Sequence, residues 1–231
     1  MQRAELTQQT LANTDVGQTR TAEILDILRD DIVEARLPPS ERLRFDSLRE
    51  QYDIGISPLR EALTQLASEG LVIAEQRKGF RVAPVSESDL REIARLRGEF
   101  DALAIGESIR NGDARWEGRV VAAFHALSRR KKLGADGEID REWEGFHIQF
   151  HQELVSECAM PKLLMFRSIL ELQARRYRRI AVHYLTAPRD DLGEHRDIHD
   201  AVLDRDAERA GRLIHAHYNR TVEIIVAKAN G

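Results

Sequence analysis

The chain has 231 residues, 42% hydrophobic and 32% charged, with 14 Gly, 6 Pro, few aromatics and a formal net charge of −4. That length holds one large domain or two modest ones, and the composition is that of a helix-rich globular protein. No apolar run approaches the ~20 residues of a membrane span, "MQRAELTQQTLANTDVGQTR" lacks the apolar core of a secretory signal, and the lone Cys158 excludes an intrachain disulfide or a multi-cysteine zinc site. A cytoplasmic protein with no membrane partner is expected.

Residues 1–17 are polar and aperiodic, which predicts a flexible arm. "TAEILDILRDDIVEARL" then repeats Ile24, Leu25, Leu28, Ile32 and Val33 on one helical stripe, stopped by "PPSER". A short helix follows in "FDSLREQY". In "SPLREALTQLASEG", Ser57 is the expected cap, Pro58 fits the first turn, and Leu59, Ala62, Leu63, Leu66 and Ala67 share a face that Gly70 closes. "LVIAEQRKGFRVAPV" reads as a hairpin whose charged turn contains Gly79. Three helices and a hairpin predict a winged helix-turn-helix over residues 18–83. Residues 84–231 predict an all-helical antiparallel bundle, in segments near 87–111, 116–132, 139–157, 161–185, 188–203 and 205–229. The fold class is therefore mainly α.

Residues 18–83 hold 10 Lys/Arg against 12 Asp/Glu, so a DNA-binding surface must be a local patch. The second helix of such a motif enters the major groove with its first residues near base edges and phosphates. Ser57 and Arg60 stand at that end. Arg44, Ser47 and Arg49 on the preceding helix are further phosphate candidates, and Arg77 and Lys78 at the hairpin tip could reach the adjacent groove. Any one of these arginines, taken singly, is better explained as a solvated side chain; the ordered set is not.

Through "RLPPSERL", "SPLREAL", "LASEGLV" and "KGFRVA" the chain resembles the GntR-type bacterial transcription regulators. It departs from them at Ser40, where the family usually has Gly, and at Gly55-Ile56, where Ser-Arg is common. The resemblance implies a regulator, most often a repressor, that binds palindromic double-stranded operator DNA as a homodimer, since paired half-sites need two related readers.

The helical half resembles the FadR-like branch, whose regulatory bundle is called FCD. "GFHIQFHQEL" puts His147 and His151 four residues apart, on one helical face. Alone, such a pair is more often part of a hydrogen-bonded core. The resemblance adds His195 from "EHRDIHDAV" and His217 from "HAHYNR", and sets His147 where many relatives have aspartate. Four imidazoles suit a divalent transition metal, zinc or nickel first. Four neutral ligands leave its charge unneutralised, which favours a small organic acid as effector. In "RLRGEFDAL" the resemblance suggests Arg97 and Asp101 as effector contacts; a surface ion pair four residues apart explains them equally well. His199 could face the same cavity. The arginines of "QARRYRRI" read as a solvated face, with Arg175 or Arg176 a candidate to turn inward. The alternative function is a helical metal-dependent hydrolase or oxygenase using the same histidines. It lacks an H-E-x-x-H fingerprint, because residue 148 is Ile, and it leaves residues 18–83 unexplained.

Overall fold

The structure, a computed structural model, describes residues 20–180 and 189–229. The arm expected over residues 1–17, the expected helix end at 181–185 and His183 lie outside the described residues. The chain divides after Val85 into two units.

In the first unit, helix α1 (residues 20–33) is followed by β1 (Arg42–Leu43), α2 (Phe45–Tyr52), α3 (Ile56–Ser68), β2 (Val72–Glu75) and β3 (Gly79–Val82). The stripe Ile24, Leu28, Ile32 and Val33 of α1 is buried, as are Leu59, Ala62, Leu63 and Leu66 of α3. Each such leucine contributes about 1.5–3 kcal/mol on burial, so the stripes fix which faces turn inward. Arg29 clamps the end of α3 to α1 by two hydrogen bonds to Glu69, at 2.7 and 2.9 Å. Gly70 closes α3 with φ 73°, as expected.

Two local expectations are corrected. Ser57 is not the cap of α3: the helix starts at Ile56, Gly55 holds the cap position, and no side chain caps it. The hairpin is also part of a three-stranded antiparallel sheet ordered β1-β3-β2, with Arg42 opposite Arg81 and Leu43 opposite Phe80. A two-residue strand carries no alternation for a sequence reading to detect. The structure also accounts for the glycine usual at position 40. Ser40 sits at φ 67°, in the left-handed region, while its N–H reaches Val82 O at 3.1 Å and its carbonyl takes Arg81 at 2.7 Å.

The second unit comprises α4 (Glu87–Asn111), α5 (Ala114–Ser128), α6 (Arg141–Glu153), α7 (Pro161–Ile180), α8 (Asp191–Leu203) and α9 (Ala207–Ala229). Ser86, Asp113, Asp140 and Asp190 accept backbone N–H bonds at the starts of α4, α5, α6 and α8. α4 and α9 run antiparallel, since Arg91 pairs with Glu223, Gly98 meets His215 and Gly211 meets Ala102. A Cβ at Gly98 would collide with the His215 ring, so glycine there permits the close approach.

Candidate metal centre and DNA-reading surface

α6 supplies His147 and His151 one turn apart, α8 supplies His195, and α9 supplies His217. Each of the four offers a ring nitrogen, those nitrogens lie within 4.8 Å of one another, and all four residues are buried. The tautomers follow from the outer partners. His195 Nδ1 lies 2.6 Å from Asp191 O, a carbonyl that can only accept, so the proton is on Nδ1 and Nε2 carries a lone pair. His217 Nδ1 donates to the Glu194 carboxylate at 2.8 Å, which again leaves Nε2 as the lone pair.

The lone pair of His195 faces His151 Nε2 at 3.3 Å. If His151 donates there, its Nδ1 is left as a buried lone pair, and that atom has no hydrogen-bond partner; nor has Nδ1 of His147. If both lone pairs face a cation instead, the spacing fits, because tetrahedral bonds of ~2.0–2.1 Å put two nitrogens ~3.3–3.4 Å apart. Burial, then the proximity of His151 and His195, pushes His147 well below the usual histidine range. Burial, then His195 and His217, does the same to His151. Burial brings His195 to about 3, and burial lowers His217 despite its bond to Glu194. Neutral imidazole is the ligating form, so this donor set fits a divalent transition metal.

The surrounding side chains hold the rings. Trp143 stacks on His147 with centroids 4.8 Å apart. Arg167 donates to His151 O at 2.9 Å and is itself fixed by Asp101, which also takes the Tyr218 hydroxyl. Arg189 reaches Glu194 at 2.5 Å, His217 O at 3.0 Å and Thr221 at 2.8 Å. Arg97 lies 4.0 Å over the Tyr218 ring and pairs with Glu171. Burial opposes ionisation of Glu171, but Arg97, Arg178 and Arg167 outweigh it and hold its pKa at about 2.

A cleft adjoins the histidines, and its polar wall includes Arg97, Lys132, His147, Arg178, Arg189, Asp191 and His217. Arg97 is therefore where an effector contact was expected, but its partner is Glu171, not Asp101. Asp101 is not part of that wall, and the structure gives its carboxylate a different task, holding Arg167 and Tyr218. The solvated-face reading of "QARRYRRI" is overturned. Arg176 and Arg178 are buried, Arg178 bonds Glu171 at 3.0 Å, and Arg175 and Arg179 pair with Glu144. His199 stays outside the cluster, stacked on Phe124 at 4.6 Å with Nδ1 2.8 Å from Asp200. Sequence reasoning missed Arg167, Glu171 and Arg189, which carry no motif. Glu194 had a usable signal, since it directly precedes His195.

In the first unit, Arg44, Ser47, Arg49, Ser57 and Arg60 are exposed, as are Arg77 and Lys78 between β2 and β3. Arg60 lies 4.9 Å over the Phe45 ring, which ties the start of α3 to α2. Arg77 turns the wing at φ 61°. The exposed Arg42 on β1, whose guanidinium reaches Lys78 O at 3.5 Å, is a cation the sequence reading overlooked.

A winged helix-turn-helix followed by a helical domain with buried histidines defines a class of regulator, and the comparisons agree. Residues 20–82 match the bacterial regulatory proteins of the gntR family and residues 92–220 match the FCD domain. The chain belongs to the GntR family and is a DNA-binding transcriptional regulator with an FCD effector-binding domain, not an enzyme. It is 36% identical over 200 residues to the HTH-type transcriptional regulator BphR of Paraburkholderia xenovorans, covering 86% of this chain and 82% of that one. To the HTH-type transcriptional repressor GlaR of Escherichia coli it is 36% identical over 202 residues, covering 86% and 92%. Among solved structures, E. coli McbR/YncC superposes with a TM-score of 0.71 at 22% identity, covering 91% of this chain and 98% of that one, and shows the same fold. Among the described residues, no helix is long and apolar enough to cross a membrane.

Proposed function

We propose that the protein is a ligand-responsive repressor that binds a palindromic operator as a homodimer and carries zinc or nickel on His147, His151, His195 and His217. The convergence of four buried imidazoles, with ring nitrogens within 4.8 Å of one another, carries the reading. An ion bound there would supply a Lewis-acidic point for the carboxylate of a small organic acid. Arg97, held in the cavity wall by Glu171 and Tyr218, is placed to orient that carboxylate. Asp101 acts one step removed, by fixing Arg167 and through it the backbone at His151. The repressor sign is supported by GlaR and by a probable D-xylose utilization operon repressor of Paenarthrobacter nicotinovorans, 27% identical over 200 residues. A reader of operator DNA works beside the chromosome, in the cytoplasm.

Chelation tests the reading. Mass spectrometry of the full chain should find one divalent ion per chain, and calorimetry should show carboxylate binding that disappears with the ion; a chain that takes up neither zinc nor nickel contradicts it. The effector can shift operator affinity only as far as it discriminates between placements of the DNA-reading units.

On the DNA side, α3 enters the major groove with Arg60 at a base edge or phosphate, Arg44, Ser47, Arg49 and Ser57 contact phosphates, and Arg77 and Lys78 reach the neighbouring groove. Arg60→Ala is expected to weaken binding to an upstream promoter fragment by about 1–3 kcal/mol, read by fluorescence anisotropy at fixed salt. Unchanged affinity would remove Arg60 from the interface.

A further inference from the structure

The wall of the cavity beside the histidines sorts by chemistry along its length. Because α4 and α9 are antiparallel, with Arg91 paired to Glu223 and Gly98 against His215, residues near 97 on α4 stand level with 217 on α9, and residues near 90 with 225. At the first level the wall is Arg97, His217 and Tyr218. At the second it is Leu90, Ile93, Val222 and Ile225, joined from α7 by Ala174.

The two hydroxyls toward the second level are already committed. The Tyr177 hydroxyl accepts from Ser86 N–H at 2.9 Å and lies 2.6 Å from the Asp89 carboxylate, to which it donates. Thr221 Oγ1 takes Arg189 at 2.8 Å and lies 3.2 Å from His217 O. Among the cations of the wall, Arg178 pairs with Glu171 at 3.0 Å and Lys132 with Asp191 at 3.1 Å, while the buried Nε of Arg178 has no hydrogen-bond partner. A second carboxylate among Leu90, Ile93, Val222 and Ile225 would lose its hydration against apolar side chains. A hydrocarbon chain or aromatic ring would instead leave water at a gain.

The geometry points to an amphipathic monocarboxylic acid as the effector class, its carboxylate at the histidine and Arg97 level and its apolar body among Leu90, Ile93, Val222 and Ile225. This rests on the proposed metal-bound carboxylate and names the ligand that the same site selects. It disfavours sugar acids and dicarboxylic acids of similar length. Such an acid would also lie along the Tyr177 ring, whose hydroxyl holds Ser86, the residue that follows the DNA-reading unit in the chain.

The test is calorimetry on the full-length, zinc-loaded protein with acetate, butyrate, hexanoate, octanoate, phenylacetate and glutarate as probes. Affinity should rise about fourfold per methylene, the factor that 0.8 kcal/mol per buried CH₂ gives, from butyrate to hexanoate, and hexanoate should bind at least tenfold more tightly than glutarate. Val222→Thr, which keeps the shape and exchanges a methyl for a hydroxyl, should weaken hexanoate several-fold more than it weakens acetate. Affinity independent of chain length, or glutarate binding best, overturns the effector class while leaving the metal-bound carboxylate in place. Binding by none of the probes removes that underlying reading and the effector class with it.

Discussion

His151→Ala is expected to lower the affinity of the full chain for zinc by at least about 100-fold, since even partners outside the ligand set are worth 10–100-fold in such sites. His151, like His195, lies close to every other ring of the cluster: its centroid lies 4.6 Å from that of His147, 5.3 Å from His195 and 5.6 Å from His217. Its Nε2 faces that of His195 at 3.3 Å. Competition against a chromophoric chelator reads the loss. His199→Ala is the internal control, because His199 stacks on Phe124 away from the site and its removal should leave zinc affinity unchanged. Equal affinities for the wild type and the His151 variant would show that the four rings are a packed core and not a ligand set. Operator binding by the same variant should also lose its response to carboxylates, with basal DNA affinity intact if the first unit reads DNA by itself.

Asp101→Ala should produce a large loss of stability in the bundle. Asp101 is buried and pairs with Arg167, itself buried, while accepting the Tyr218 hydroxyl. Removing the carboxylate strands a guanidinium in the core, which costs about 3–5 kcal/mol. Denaturant unfolding of the metal-free chain should report the decrease in midpoint. A change below about 1 kcal/mol, the usual size for an exposed pair, would mean that the surface ion-pair reading of this acid was the better one. Because Arg167 also holds His151 O at 2.9 Å, zinc affinity should fall alongside stability.

These two residues mark how far a sequence reading reaches. His147 and His151 declare themselves because helical periodicity is local: four residues apart means one face, whatever the rest of the chain does. The stripe of α3 is legible for the same reason, and so is Gly70 at its end. His195 and His217 lie on other helices, and only resemblance to relatives suggested that they meet. Nothing local says which helix Arg97 will face, and the acid one helical turn on, Asp101, serves Arg167 from α7 while Glu171 serves Arg97. The run "QARRYRRI" misled for a related reason. Arg175, Arg178 and Arg179 look solvated until their acids are known, Glu144 from α6 and Glu171 two turns earlier on α7. The two-residue β1 was invisible because a pairing so short has no pattern of its own.

Everything proposed about regulation depends on four imidazoles sharing one ion. X-ray absorption at the metal edge of the purified full chain tests that most directly. The expected spectrum has three or four nitrogen neighbours near ~2.0–2.1 Å, with the multiple-scattering signature of imidazole. An all-oxygen shell, or a protein in which no added zinc or nickel acquires imidazole neighbours, would contradict the account.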